Sequence, residues 1–259
     1  MYPEERQQAI ASRVLSQGRA SVTELAQAYD VTTETVRRDL AVLDRAGVLR
    51  RVHGGAVPMR ALHVVEPGVD ERESTRADHK EAIARAAAEF LPLSGATVLF
   101  DAGTTTARAA AMLPADRELV AVTNSVPIAA RLAAMPSINL QLLGGRVRGV
   151  TQAAVGESVL RALGTLRVDI AFIGTNGISV RHGLSTPDSE EAAVKRAMVR
   201  CANYVVVLAD SSKVGREEFV SFAPIDSVDA LITDREVSAA DRAALTDQGI
   251  EVVVAGGES

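Results

Sequence analysis

Within the first sixty residues, apolar positions recur at helical spacing in three short blocks. Between Pro3 and Gln17, Ile10 and Val14 fall four apart on one face, and the segment stops at Gly18. Ser21-Val-Thr-Glu24 has the form of a capping box, in which the serine hydroxyl and the glutamate carboxylate satisfy the first backbone N–H groups of a helix. Behind it, Val22, Leu25, Ala26 and Tyr29 repeat at i, i+3, i+4, i+7. After Tyr29-Asp30-Val31, Thr32 or Thr33 caps a third helix whose Val36, Leu40 and Leu43 form a narrow apolar stripe ending at Gly47, with Thr35, Arg37 and Arg38 on the opposite face. Val48–Val52, the turn-prone His53-Gly54-Gly55 and Ala56-Val57 then predict two short strands around a tight turn.

Three helices followed by a β-hairpin make a winged helix-turn-helix arrangement, expected over residues 1–57. Periodicity fades from Pro58 to Thr75, where Pro67-Gly68 and the charged run Asp70-Glu-Arg-Glu73 predict a linker over residues 58–75. Asp78 to Glu81 has the form of a second capping box, and Ile83, Ala87, Phe90 and Leu91 continue a helical face. Beyond it, short apolar runs predict strands at Ala96–Phe100, Leu119–Val122, Asn139–Leu143, Asp169–Ile173, Tyr204–Leu208, Asp229–Ile232 and Ile250–Val254. Amphipathic stretches such as Glu190–Cys201 and Ser238–Gln248 separate them. Continuous apolar strands alternating with helices imply a mostly parallel sheet covered on both faces, an α/β domain over residues 76–259.

Composition narrows the class. The 259 residues, 47% hydrophobic and 24% charged, match a folded globular chain and exclude disordered or fibrous classes. A single cysteine, Cys201, excludes a disulfide framework and a multi-cysteine zinc site; burial on its helix is the expected role. No run reaches the ~18 apolar residues of a membrane span, and the first residues lack a signal-peptide pattern, so a cytoplasmic protein without membrane contact is expected. The net charge of −5 argues at first against nucleic acid. Residues 1–60, however, hold nine Arg and no Lys against seven Asp and Glu, an excess of +2, which leaves −7 for the remainder. The imbalance has the sign of a DNA-binding head on an acidic body. With 3% aromatic residues and no Trp, a stacking platform for single strands is not expected.

In a helix-turn-helix the second motif helix lies in the major groove with its N-terminal residues at the base edges. That places Thr33, Glu34, Thr35, Arg37 and Arg38 at bases and phosphates, and Arg50, Arg51 and His53 of the wing at backbone or minor groove. An isolated Arg pair usually solvates an exposed face; here the pair lies on the third helix of a trihelical unit followed by a basic hairpin. The stretch from Val31 to Ala56, VTTETVRRDLAVLDRAGVLRRVHGGA, closely resembles the DeoR-type family of bacterial sugar-operon regulators, which joins an R-R-D-L recognition helix to an H-G-G-A wing. The resemblance covers almost the whole chain. Within the family the sequence is most similar to actinobacterial repressors of fructose-uptake operons. It implies a double-stranded DNA operator as partner, self-association as a dimer or tetramer, and no cofactor or metal.

The second domain carries its own signal. Asp101-Ala-Gly-Thr-Thr-Thr106 places a strand end, a small-residue turn and three hydroxyls ahead of a helix expected at Ala107–Met112, an arrangement suited to phosphate, although a plain tight turn and N-cap have the same composition. Thr123-Asn124-Ser125, Gly144-Gly145-Arg146, Gly174-Thr175-Asn176-Gly177 and Asp210-Ser211-Ser212-Lys213 also follow predicted strands, and in an open parallel sheet such loops converge on one pocket. This set resembles the family's sensor domain, which is similar to the Rossmann-like ribose-phosphate isomerase fold and binds phosphorylated sugars. The resemblance places phosphate at Gly103, Thr104, Thr105 and Thr106, and sugar hydroxyls or pocket shaping at Asp101, Thr123, Asn124, Gly144, Gly145, Asn176 and Gly177. Lys195 is a charge partner for the phosphate or for an acidic pocket residue, or else a solvated i, i+4 partner of Glu191. Lys213 closes over the ligand or stands as a surface lysine. His182 has no metal-ligand spacing around it and reads as a mobile surface residue.

Fructose 1-phosphate is the first effector implied, with a hexose 6-phosphate, glycerol phosphate or aldonate phosphate as alternatives; release or strengthening of DNA binding both stay open. Two enzymes compete with the repressor. Asp101-x-Gly-Thr-Thr is similar to a sugar-kinase phosphate loop, but there is no second such loop and no cysteine-rich metal site. A sugar-phosphate isomerase would need a carboxylate base, for which Asp188 or Glu191 would serve. A basic head has no use in either chemistry, so a non-enzymatic regulator is expected.

Overall fold

The computed structural model describes residues 3–17, 20–45, 48–52, 54–58 and 68–256. The chain divides into two compact units, Met1–Glu66 and Pro67–Ser259. In the first, α1 (Pro3–Gln17), α2 (Val22–Tyr29) and α3 (Thr33–Arg45) surround a core of Ile10, Val14, Leu25, Val36, Leu40 and Leu43. The capping box forms: Glu24 N donates to Ser21 Oγ at 3.1 Å and Ser21 N to the Glu24 carboxylate at 2.9 Å. Of the two threonines before α3, Thr32 is the cap, accepting from Thr35 N at 3.2 Å.

The wing gains a strand that short periodicity could not reveal. β1 (Ala20–Ser21) pairs with β3 (Gly55–Pro58), which pairs with β2 (Leu49–Val52), all antiparallel. Gly54 turns the hairpin at φ +84°, and a Cβ on Gly55 would stand 2.3 Å from the Ala20 carbonyl oxygen, so both glycines are obligatory.

In the second unit the expected linker is helical from Val69: α4 (Val69–Ser74) occupies its last part, while residues 59–67 lie outside the described residues. The helix α5 (Ala77–Ala87) does not use Asp78 as a cap. It starts two residues earlier, from Arg76 in the left-handed region at φ +53°, without a side-chain cap bond, and Glu81 instead pairs with Arg108. A 3₁₀ turn over Ala88–Phe90 follows.

The remaining elements in chain order are β4 (Thr97–Phe100), α6 (Thr104–Ala111), β5 (Leu119–Thr123), α7 (Val126–Leu132), β6 (Ile138–Leu142), β7 (Arg146–Arg148), β8 (Ala153–Val155), α8 (Glu157–Leu163), β9 (Val168–Gly174), β10 (Gly177–Ser179), β11 (Gly183–Thr186), α9 (Ser189–Cys201), β12 (Ala202–Leu208), β13 (Val220–Ala223), β14 (Ala230–Thr233), α10 (Ala239–Thr246) and β15 (Glu251–Val254). The seven expected runs form one parallel sheet in the order β15-β14-β12-β9-β4-β5-β6. Its central strands are apolar over most of their length because both faces are buried, whereas the edge strand β6 (INLQL) is largely exposed. Alternate residues Val98, Phe100, Ile170, Phe172, Val206 and Leu208 pack under α5, α6 and α7. Their neighbours Leu99, Ala171, Ile173, Val205 and Val207 pack against α8 and α9. A three-stranded antiparallel sheet, β10-β11-β13, and the hairpin β7-β8 complete the unit.

Candidate functional site

On the head, Thr33, Glu34, Arg37 and Arg38 are exposed on one face of α3, while Thr35 is half-buried, its hydroxyl 2.9 Å from that of Thr32. Among the described residues Arg37 makes only an exposed contact with Glu34 at 3.5 Å, leaving its guanidinium available to a polyanion. Asp39, next in the sequence, is buried and accepts from Arg6 Nε at 2.6 Å and Gln7 Nε2 at 3.0 Å, fastening α3 to α1. Arg50 and Arg51 lie on β2; His53 lies outside the described residues.

In the sensor, strand order reverses between β4 and β9. β4 leads to β5 and β6 on one side, and β9 to β12, β14 and β15 on the other. The loops leaving these two strands diverge and open a crevice at their carboxyl ends. Asp101, the first residue after β4, is buried; its Oδ2 accepts from Gly174 N at 2.9 Å and from Lys195 Nζ. Lys195 also donates to Gly174 O at 3.0 Å and stands 5.7 Å from the Phe222 ring centroid. Burial pushes the Asp101 carboxyl up, while the Lys195 ammonium and the Gly174 N–H pull against it. Lys195 is thus the partner of an acidic residue beneath the cleft and not of Glu191, which is held by Arg148 and Thr151.

The three threonines are helical, not a loop before the helix. The first backbone bond of α6 runs from Ala107 N to Gly103 O at 2.9 Å, which leaves the N–H groups of Thr104, Thr105 and Thr106 without helical acceptors. The Thr106 hydroxyl donates to Gly103 O at 2.9 Å and closes this turn. Gly103, Thr104, Thr105, Thr106, Asn176, Lys195 and Lys213 line one cleft, whose empty volume of about 760 Å³ is partly open to solvent. Asn176 Oδ1 accepts from Thr186 Oγ1 at 3.2 Å, so its amide NH₂ is the group left for a ligand.

The structure keeps the other expected residues out of this lining, each with a structural duty. Thr123 donates to Phe100 O at 2.7 Å and accepts from Ser125 N at 3.1 Å. Asn124 donates to Ala154 O at 3.0 Å and holds β8. Gly144 O accepts from Ser158 Oγ at 3.0 Å, and a Cβ on Gly145 would stand 2.6 Å from Val155 O. A Cβ on Gly177 would stand 2.5 Å from Arg216 O, so this glycine serves close backbone packing. His182 is held rather than mobile, its Nε2 3.0 Å from Glu218 O.

Arg72, Arg76 and Lys80 also line the cleft and were not among the expected residues. Their four-residue spacing was visible in the sequence but fell inside an expected linker and helix start. Arg76 Nη2 contacts Glu236 at 2.7 Å and Asp234 at 3.3 Å, and its Nε lies 3.2 Å from Asp210. His79, Asp234 and Glu236 stand close enough to suit a metal ion, but the Arg76 guanidinium already occupies both carboxylates. Lys80 and Lys213 have no carboxylate at ion-pair distance among the described residues. Burial lowers the pKa of both ammonium groups, against the pull of Asp210. Asp188 caps α9 through Glu190 N and Glu191 N at 3.0 and 2.9 Å, while Glu191 lines the cleft, and both carboxylates pair with Arg148. Cys201 is buried, and burial pushes its thiol up, away from the reactive thiolate.

Residues 6–60 match a family model described as the DeoR-like helix-turn-helix domain, and residues 75–235 match the DeoR C terminal sensor domain. The HTH-type transcriptional regulator GlpR of Haloferax volcanii is 38% identical over 253 residues, 98% of each chain. The glycerol-3-phosphate regulon repressor of Escherichia coli is 33% identical over 252 residues, 97% of this chain and 99% of that one. Among solved structures, ribose 5-phosphate isomerase A of Methanocaldococcus jannaschii aligns over 54% of this chain and 55% of its own, at 20% identity and a TM-score of 0.39.

Proposed function

The chain belongs to the DeoR family of transcriptional regulators, and from that membership we propose that it represses a sugar-uptake or catabolic operon under the control of a phosphorylated sugar bound between β4 and β9. It is a regulator and not an enzyme, as its full-length relatives are. The observation that carries the effector reading is the pair of ammonium groups, Lys80 and Lys213, lacking carboxylate partners among the described residues and lining the same cleft as the N-terminus of α6. Two desolvated cations and three free N–H groups favour a dianion, which a phosphate monoester supplies. Gly103, Thr104 and Thr105 hold the phosphate, while Asn176 and Lys195 meet sugar hydroxyls.

Fructose 1-phosphate is the first candidate, by the sequence resemblance to fructose-operon repressors. Glycerol 3-phosphate, named for the Escherichia coli relative, is the alternative that fits the same phosphate seat. On DNA, Thr33, Glu34, Thr35, Arg37 and Arg38 of α3 read the major groove, and Arg50, Arg51 and His53 contact backbone or minor groove. Heads pair in a dimer or tetramer, because one small head with a +2 excess carries too little charge for useful affinity alone. No described helix is long and apolar enough to cross a membrane; the protein works in the cytoplasm.

The test is a thermal-shift series on the full chain with fructose 1-phosphate, glycerol 3-phosphate, hexose 6-phosphates and the parent sugars. A phosphate ester that raises Tm and lowers operator affinity supports the reading. Equal shifts from the unphosphorylated sugars would remove the phosphate seat.

A further inference from the structure

The helix α4 is anchored in an unusual way. None of its six residues is buried, and its N-terminus has no side-chain cap. Its C-terminus ends at Thr75, and the next residue, Arg76, is left-handed, so the helix cannot continue to supply a donor for the carbonyl of Arg72. Lys80 of α5 supplies it: the Lys80 ammonium donates to Arg72 O and acts as a cationic C-cap. A second tie is Arg108 of α6, which pairs with Glu73. These two ties come from the two helices that present cations and N–H donors to the cleft. Arg72 and Thr75 themselves line it.

Arg72 and Lys213 repel the Lys80 ammonium, and Arg72 repels that of Lys213, a repulsion that the nearby Asp210 carboxylate partly offsets. An ammonium has three donors, and one from Lys80 is spent on Arg72 O. A phosphate can take the others without breaking the cap, and its charge adds to the attraction of Asp210 for the cations around it. An element with no buried side chain sits at the low end of local stability, where a few polar contacts decide whether it is ordered.

The geometry points to α4 as a ligand-fastened strap: a phosphate ester gripped by Lys80 and the N-terminus of α6 orders α4, the first described element of the sensor, and α4 hands cleft occupancy to the chain segment leading to the head. This rests on the reading of the cleft as a phosphate-ester site.

Hydrogen–deuterium exchange on the full chain tests it, with saturating fructose 1-phosphate or glycerol 3-phosphate, whichever raises Tm. Amides 72–75, which have acceptors once α4 is ordered, slow by at least tenfold in the wild type. Lys80→Gln, at ligand concentrations that restore the Tm rise, keeps fast exchange there and stays on its operator. Glu73→Gln, which lies off the cleft lining, exchanges faster than wild type without ligand, keeps the Tm rise, and recovers protection with ligand. A rise in Tm with less than a twofold change at 72–75 overturns the strap and leaves the site standing, as does operator release by saturated Lys80→Gln. If neither ester raises Tm, the cleft assignment falls and the strap falls with it.

Discussion

The Lys195 ammonium is buried against the Asp101 carboxylate at the point where the sheet reverses its strand order, and Gly174, at the end of the neighbouring strand, bonds both partners. One ion pair thus ties the ends of β4 and β9 to α9 and sets the floor of the cleft. Removing one member strands the other in a dry site, a change that typically costs about 3–5 kcal/mol.

Lys195→Met leaves Asp101 without its cation, so burial drives the carboxyl further toward its protonated form. Its folded pKa then stands well above the unfolded value of about 3.9. The folded state binds the extra proton, and stability falls as pH rises through the folded pKa. Chemical unfolding of Lys195→Met is therefore expected to show greater stability in mild acid than at neutral pH. Lys195→Met combined with Asp101→Asn recovers most of the loss at neutral pH. Equal losses for the single and double variants would show that the pair is not coupled.

On the recognition helix, neighbouring residues are expected to fail differently. Arg38 is exposed, whereas Asp39 is buried against Arg6. Arg38→Ala leaves the head's Tm unchanged and weakens operator binding by ~1–3 kcal/mol if it reads a base, or lowers the salt slope by about one if it meets a phosphate. Asp39→Ala lowers the head's Tm and loses DNA binding through the displaced helix. Calorimetry with anisotropy titrations at several salt concentrations separates the two; an Arg38→Ala variant with unchanged affinity and slope takes that side chain out of the interface.

Acid exposes the other anchor of the cleft. Burial raises the Asp234 carboxyl, but the N–H groups of Ser211 and Glu236 and the charge of Arg76 outweigh it and hold the carboxyl below the usual range. The unfolded state then binds more protons, so stability rises with pH. This contribution is complete above the unfolded pKa of about 3.9 and disappears as pH falls through the lower folded value. Asp234→Asn is expected to be less stable than wild type at pH 7, with the two curves converging below pH ~3. Parallel curves throughout would mean that Asp234 does not titrate with unfolding.

The extent to which the sequence carried all this depended on how each element is buried. The central sheet strands were readable because both faces are covered, giving unbroken runs such as Val98–Phe100 and Val205–Leu208. Three-residue strands like β7, β8 and β10 hold no full period. The helix α4 escaped because it buries nothing and shows no apolar stripe. The site residues split on a subtler ground. Thr123 and Asn124 have the chemistry of ligand binders but spend it on Phe100 O and Ala154 O, a choice set by the tertiary fold. Arg72, Arg76 and Lys80 reach the cleft only because a left-handed residue folds two helices against each other.

The adjacent threonines of α6 give the sharpest test of the phosphate seat. Thr106 is wholly buried and its hydroxyl donates to Gly103 O, while the Thr105 hydroxyl has no protein partner among the described residues and lines the cleft. Valine matches threonine in shape and removes only the hydroxyl. At Thr106 this leaves the Gly103 carbonyl short of a donor and loosens the turn, so Tm falls without ligand. At Thr105 nothing in the free protein is lost. A hydrogen bond to a charged oxygen contributes about 1.5–3 kcal/mol, so Thr105→Val is expected to weaken effector binding roughly 10- to 100-fold. Operator affinity without effector stays at the wild-type value, and the Tm rise with the phosphate ester shifts to correspondingly higher concentration. Normal effector response in Thr105→Val, alongside loss in Thr104→Val, would move the phosphate by one residue along the helix start; normal response in both would place it elsewhere.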